Sequence, residues 1–313
     1  MIAPIQIDLA KPVQDRWSFT DMQCRQSKQL VDYYTNDIGN VAEMAENIGQ
    51  VIFSTIPEAL LAEIDVIAQQ LDQSPNIVLL VHAYYDLVKT IMGCTAFAIE
   101  TDDGILHGRN LDWWSENELL ATSTVMYHFT GAAAGEFYSV AWPGFAGVYS
   151  GMAPGRFAIT LNSALSSEPM QIVTPIAFQI RQVFETATCF DEAVEQLQKA
   201  ILPCDGLILV TGCAPGEMAV IERSPRKSAV RHAVDGQIRV TNNFMQLDVA
   251  EVSFETEILQ SSPGRYARIT ELLQTPPKNL HECMAYLKDN DVQMDMTVQQ
   301  MVFCAAGGQF LLA

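Results

Sequence analysis

Long apolar runs, basic residues and paired cysteines are all scarce in this chain, and each shortage removes a class of function. No stretch approaches the ~18 apolar residues of a membrane span. The longest strongly apolar run, 77–81 (IVLLV), stops at His82. The opening MIAPIQIDLAKPVQDRW has no basic region followed by an apolar core, so no secretion signal is expected and a cytoplasmic location is. Lysine and arginine number 18 against 37 aspartates and glutamates, a formal net charge of −19. An acidic surface repels phosphate backbones and anionic headgroups, so neither nucleic acid nor stable membrane insertion is expected. The seven cysteines, Cys24, Cys94, Cys189, Cys204, Cys213, Cys283 and Cys304, show no CxxC and no zinc-ligand spacing. An odd count without a framework fits free thiols in a reducing compartment, where one thiol is available as a nucleophile. Charged residues make up only 18%, which argues against long disordered tracts.

What is present is enough apolar material for one large core or two smaller ones: 49% of 313 residues. Residues 20–90 read as helical. In IPEALLAEIDVIAQQLDQSP, the residues Leu60, Leu61, Ile64, Ile67, Ala68 and Leu71 recur at helical spacing and form one apolar face, ended by Ser74 and Pro75. From residue 94 the texture changes to short β-rich runs: CTAFAIE, ILHGRNLD, STVMYHF, RFAITLN, LILVTG, MAVIER and IRVTNNF. Turn pairs punctuate them at Asp103-Gly104, Pro143-Gly144, Pro154-Gly155, Pro215-Gly216 and Asp235-Gly236. A helix is expected over about 175–200 and another over about 266–273. Many strands with a few helices predict an α+β layered fold, sheets covered by helices.

Residues 94–112 read as a β-hairpin, with Asp103 and Gly104 as a type I′ turn. That turn sets Cys94 opposite Trp113 and Arg109 opposite Ala98, about four residues or ~13 Å up the ladder. Parity puts Cys94 and Arg109 on one face and Asp112 on the other. A bulge, or contact through the backbone, is needed to bring Asp112 to Cys94. The spacing permits a Cys/Arg/Asp cluster; by itself a thiol opening a strand is more often a small buried hydrophobe, and His107 a packed histidine.

The segment GCTAFAIETDDGILHGRNLDWW resembles the processing-site hairpin of acid ceramidases and N-acylethanolamine acid amidases, with Cys-Thr at the break and HGRN-x-D after the turn. IDLAKPVQDRW and YYDLVKTIMGC are similar to the opening strand and the final helix of their small subunit. WPGFAGVYSGMAPGRFAI and LILVTGCAPGEMAVIERS are similar to their large subunit. Three further motifs, TLN at 160–162, TNNF at 241–244 and SPGRY at 262–266, resemble choloylglycine hydrolases and penicillin V acylases. The chain is thus identified as resembling the N-terminal-nucleophile cysteine amidases. Near the position of Asn162 the acid ceramidase branch carries an acidic group, where this chain has Asn162 or Ser163.

The resemblance implies a four-layer αββα fold, with 1–93 as a small helical subunit and 94–313 as the catalytic one. It implies chain breakage at Gly93-Cys94 and site residues Cys94, Arg109, Asp112, Asn162, Asn242 and Arg265. The chemistry accounts for the break. A thiol of pKa about 8.5 needs a base, and cleavage frees an α-amine of pKa about 8 on the same residue. Asp112 is expected to orient that amine, and Arg109 and Arg265 to disfavour a second positive charge. Asn162 and Asn242 are expected to form an oxyanion hole, each donor worth about 3 kcal/mol. Trp113, Trp142 and Tyr149, with Trp114 and Phe145 nearby, are candidates to line an acyl pocket. No cofactor and no metal are expected. The expected substrate is a small N-acyl amide, of N-acylethanolamine or ceramide type. Penicillin V, conjugated bile acids, acyl-homoserine lactones and acyl transfer to an amine are the alternatives, and self-association is left open.

Overall fold

The structure is a computed structural model that describes residues 3–38, 52–87, 92–250 and 256–313. Two β-sheets lie at its centre. The larger has eight strands: β1 (Ile5–Asp8), β4 (Val125–Thr130), β5 (Phe137–Ala141), β6 (Ser150–Ala153), β7 (Phe157–Asn162), β8 (Gly206–Thr211), β9 (Met218–Arg223) and β10 (Ser228–His232), in that order across the sheet. The smaller runs β11 (Gln237–Val240), β2 (Met92–Thr101), β3 (Gly104–Trp113), β12 (Thr297–Cys304) and β13 (Gln309–Leu312). All pairings are antiparallel except β1 with β4.

Among the described residues, four helices precede Cys94: α1 (Asp21–Ile38), α2 (Glu58–Leu71), α3 (Pro75–His82) and α4 (Tyr84–Leu87). Five follow: α5 (Leu119–Thr122), α6 (Ile176–Thr186), α7 (Phe190–Lys199), α8 (Glu257–Leu272) and α9 (Leu280–Leu287). The apolar residues of α2 make the expected face, with Leu60, Ile64, Ile67, Ala68 and Leu71 buried. They join α6 and α7 in one cluster with Tyr127, Phe129, Phe137 and Phe157 of the eight-stranded sheet. Phe97, Ile99 and Leu106 of the other sheet pack on Ile269, Cys283 and Leu287 of α8 and α9. Between the sheets, Ala96, Ala98 and Ile105 meet Leu207, Leu209 and Val220. The result is the expected αββα layering. No helix among the described residues is long and apolar enough to cross a membrane.

Three expectations need correction. The helix read over 175–200 is two helices. Thr188, between them, gives both its N–H and its hydroxyl to the Glu192 carboxylate (2.7 and 2.8 Å), which pins the turn ahead of the second. The helix read from 266 begins at Glu257; Thr256 caps it and Pro263 lies inside, so the Ser-Pro-Gly that reads as a breaker is helical. The hairpin loop is Asp102 and Asp103, not Asp103 and Gly104: Thr101 pairs with Gly104, whose φ is +122°. A Cβ on Gly104 would stand 3.1 Å from Ala306 Cβ and 3.3 Å from Cys304 Sγ, so the end of β12 is seated there. Among the turn pairs named above, Asp235 and Gly236 are both left-handed, at φ +52° and +69°. Residues 39–51 of the region read as helical, and 88–91 of the stretch leading to Cys94, lie outside the described residues.

Candidate active site

The register moves by two residues, so parity survives. Cys94 faces Leu111, and Arg109 faces Ala96, closer to Cys94 than expected. Both side chains point into the space between the sheets, fully buried. Arg109 Nη2 donates to Cys94 Sγ at 3.3 Å, and Nη1 to the Tyr149 carbonyl at 2.9 Å. The thiol in turn lies 3.7 Å from the Leu161 carbonyl. Burial pushes the Cys94 thiol above its ordinary pKa; the Arg109 guanidinium, the Ser163 backbone N–H and Arg265 oppose that, and Asp112 reinforces it. In the continuous chain the sulfur is therefore protonated at neutral pH and has no base.

Asp112 is on the opposite face, as parity requires, and it faces Gly93. The missing side chain is what lets Asp112 lie against residue 93: a Cβ there would be 3.1 Å from Asp112 Cβ and 3.3 Å from Oδ2. Asp112 Oδ1 accepts from the Thr297 hydroxyl at 2.6 Å. Its Oδ2 is buried with no hydrogen-bond partner, 3.9 Å from Arg265 Nη1. Burial raises the carboxyl's pKa against the pull of Arg265, Thr297 and Arg109.

Arg265 reaches in from α8 and holds the backbone of Cys94. Nη1 donates to the Cys94 carbonyl (2.6 Å) and the Thr95 hydroxyl (2.7 Å); Nη2 donates to Asn242 Oδ1 (2.8 Å) and the Ile258 carbonyl (3.2 Å). Asn242, just beyond β11, uses the same Oδ1 to accept the Cys94 N–H at 3.2 Å. Its amide Nδ2 donates to Ser163 O (2.9 Å) and Oγ (3.2 Å). Asn162 at the end of β7 donates through Nδ2 to the carbonyls of Val240 (3.2 Å) and Thr241 (3.0 Å), and its Oδ1 is unpartnered. The expected oxyanion hole is therefore not formed in the continuous chain, because both amide groups are committed to backbone and to Ser163. Asn242 instead presents an acceptor to the Cys94 nitrogen.

Trp113, Trp142 and Tyr149 are buried in the wall of one narrow cavity of about 40 Å³, together with Tyr34, His82 and Tyr84. Trp114 is half exposed. Trp113 packs at 5.5 Å from Trp142 and 6.1 Å from Tyr149, ring centre to ring centre. His107 is a structural histidine between the hydroxyls of Thr160 (2.8 Å) and Thr211 (3.0 Å), with burial forcing its pKa down to about 3.

Four contributors escaped the sequence reading. Ser163 donates its hydroxyl to the Met92 carbonyl, just upstream of the expected break. Thr95 and Thr297 bind Arg265 and Asp112. Ser262 accepts the Asn242 N–H at 2.9 Å. Thr95, adjacent to Cys94, Ser163, adjacent to Asn162, and Ser262, in the SPGRY motif, carry a local signal; Thr297 is brought in by the pairing of β12 with β3.

The family model for acyl-coenzyme A:6-aminopenicillanic acid acyl-transferase matches residues 99–301, a span that holds Arg109, Asp112, Asn162, Asn242 and Arg265 but not Cys94. The N-acylethanolamine-hydrolyzing acid amidase of Caenorhabditis elegans is 27% identical over 201 residues, covering 61% of this chain and 55% of that protein. The acid ceramidase of Balaenoptera acutorostrata scammoni is 25% identical over 260 residues, covering 73% and 65%. This chain thus spans between half and two thirds of those relatives' length. Among solved structures, the C. elegans N-acylethanolamine-hydrolyzing acid amidase ortholog superposes with a TM-score of 0.56 at 22% identity, over 68% of this chain and 93% of that one. A conjugated bile acid hydrolase mutant from Clostridium perfringens gives 0.50 at 14% identity, over 70% and 88%. These likenesses establish the N-terminal-nucleophile hydrolase fold.

Proposed function

The chain belongs to the acyl-coenzyme A:6-aminopenicillanic acid acyl-transferase family, and from that premise we propose that it is a cysteine amidase that matures by breaking its own Gly93-Cys94 bond and then hydrolyses linear N-acyl amides. The observation that carries the proposal is the setting of the Cys94 nitrogen. Asn242 Oδ1 holds it at 3.2 Å, and the unpartnered, buried Asp112 Oδ2 lies over Gly93. A buried carboxylate oxygen without a partner is costly. An α-ammonium created at residue 94 supplies that partner.

In processing, Cys94 Sγ adds to the Gly93 carbonyl and the C–N bond breaks, giving a thioester on sulfur and a free amine on Cys94. Water hydrolyses the thioester and leaves Gly93 as a carboxylate. In turnover the amine takes the thiol proton, sulfur attacks the substrate amide carbonyl, and the same proton goes to the leaving amine. Water then releases the acyl group. Arg109 stabilises developing thiolate charge, and Arg109 with Arg265 disfavours a second positive charge on the amine. Asn242 and Asp112 hold the amine. The Ser163 N–H, which faces the sulfur, is a donor for the oxyanion. The aromatic cavity beside Tyr149 takes the acyl group, in keeping with the N-acyl amide or ceramide activities for which the relatives are named.

A second reading, acyl transfer from Cys94 to an amine, is favoured by the matched family's own description. Both readings are tested on freshly folded protein by intact mass and N-terminal sequencing. The expected outcome is two pieces of about 93 and 220 residues with Cys94 as the new N-terminus, and a single chain for Cys94→Ala. An intact wild type that is fully active would sink the proposal. Product analysis with an added amine then separates hydrolysis from transfer.

A further inference from the structure

The narrow cavity is walled from both sides of the Gly93-Cys94 bond: Tyr34, His82 and Tyr84 come from α1, α3 and α4, and Trp113, Trp142 and Tyr149 from beyond Cys94. It lies close to the thiol, because the Tyr149 carbonyl binds Arg109 Nη1 (2.9 Å) while Arg109 Nη2 binds Cys94 Sγ (3.3 Å). At about 40 Å³ it has room for a thin alkyl segment or a few waters.

Most polar groups in its wall are satisfied within the protein. Ser27 donates to the Pro143 carbonyl (2.6 Å), Trp142 Nε1 to the Leu120 carbonyl (2.8 Å) and the Tyr84 hydroxyl to Asp37. His82 Nδ1 donates to the Val78 carbonyl (2.7 Å), and Nε2 accepts the Ala146 N–H (2.9 Å). The exception is Tyr34, which is 6% exposed and whose hydroxyl has no hydrogen-bond partner. Its ring is fixed by Tyr84 at 4.4 Å and Trp113 at 5.9 Å between centroids, so the hydroxyl cannot swing out to bulk water. A buried hydroxyl in an apolar wall is destabilising unless water or a ligand brings it an acceptor, and a plain alkyl chain that fills the cavity brings none.

We infer that Tyr34 determines acyl specificity: its hydroxyl donates to an oxygen carried by the acyl chain, so the enzyme prefers N-acyl amides whose acyl group bears an ether, hydroxyl or keto oxygen at one position over the plain alkyl chain of equal length. The inference rests on the amidase reading and on the cavity taking the acyl group. An aliphatic chain leaves the hydroxyl unpaired against carbon. An oxygen at matching depth forms a hydrogen bond shielded from water, where its net contribution is greatest.

The test is an oxygen scan. Processed protein is given N-acylethanolamines of one chain length in which successive methylenes are replaced by oxygen, alongside the plain chain. One position is expected to exceed the plain chain by roughly tenfold in kcat/KM, the size of one net hydrogen bond. In Tyr34→Phe, which removes only the hydroxyl, the ratio of that substrate to the plain chain is expected to fall to about one. A ratio taken within one protein does not depend on how much of it is folded. A wild type without preference at any position overturns the inference even if the variant does not fold, and so does a preference retained in Tyr34→Phe. If processed protein hydrolyses none of these amides, the amidase reading itself falls, and this assignment with it.

Discussion

Filling the space at Gly93 separates maturation from turnover. The first added carbon meets Asp112 Cβ at 3.1 Å, Asp112 Oδ2 at 3.3 Å and Ile258 Cγ2 at 3.4 Å. Ordinary contact between such atoms begins near ~3.5 Å, so the neighbours must retreat by a few tenths of an ångström. Asp112 has little freedom to do so, because Thr297 holds Oδ1 at 2.6 Å. The strain therefore falls on the carboxylate that lies against residue 93. A misplacement of ~1 Å costs about 100-fold in a positioned reaction; a few tenths corresponds to roughly tenfold for Gly93→Ala. Gly93→Val adds branched carbons, at an overpacking cost of about 1–3 kcal/mol, and is expected to process at least ~100-fold more slowly. Its strand propensity offsets part of the loss in β2, so the variant folds. The assay is a time course on denaturing gels after refolding, with circular dichroism as the folding check. After cleavage residue 93 belongs to the other piece, so kcat/KM per cleaved molecule is expected to match wild type. Wild-type processing of Gly93→Val would refute the argument that Asp112 acts across a side-chain-free position.

Three other perturbations have definite expectations. Arg109→Ala and Asp112→Ala are each expected to lower kcat/KM by ~100-fold or more, the usual loss for a positioned charged group, and activity within a few-fold of wild type in both removes them from the mechanism. Glu63 of α2 is buried and accepts from Arg16, Trp17 and twice from Arg181 of α6; Glu63→Gln is expected to destabilise by about 3 kcal/mol, read from urea unfolding on the unprocessed Cys94→Ala background, and a change under ~1 kcal/mol contradicts the ion-pair account. Burial pushes the Glu63 carboxyl up, but Arg181, Trp17 and Arg16 outweigh it and its pKa is lowered; its stabilisation is thus present above the unfolded value of about 4.3 and lost as pH falls through the folded one, a loss the glutamine variant lacks. A β-lactone is expected to label Cys94 only after cleavage, since the continuous chain buries and protonates that thiol; peptide mapping of a first, inactivating adduct on another cysteine shows the nucleophile to be misassigned.

The layered α+β fold, the hairpin and the face shared by Cys94 and Arg109 were legible because they depend on alternation, a local rule that a two-residue slip leaves intact. The slip itself was not legible. Asp103-Gly104 reads as a type I′ turn from sequence alone, whereas the contact of Cys304 and Ala306 with Gly104 draws that glycine into the ladder. The break between α6 and α7 is not legible because Glu192, which ties down Thr188 in the turn, reads equally well as a helix-surface residue. The run of α8 through Ser262, Pro263 and Gly264 contradicts what those three residues signal locally.

The sequence by itself determined which residues are candidates for the chemistry: the motifs, through the resemblance they carry, name Cys94, Arg109, Asp112, Asn162, Asn242 and Arg265 without reference to coordinates. Tertiary structure alone decided what each atom does. Asn242 faces the Cys94 nitrogen with its oxygen because its amide is taken by Ser163. Asp112 lies across from a glycine on the partner strand, next to Cys94 in sequence, and Arg265 clasps a carbonyl 171 positions away. A residue's identity is local information, but hydrogen-bond direction is set by which competing donors and acceptors the fold brings within about 3 Å, and those competitors come from strands and helices far apart in the chain.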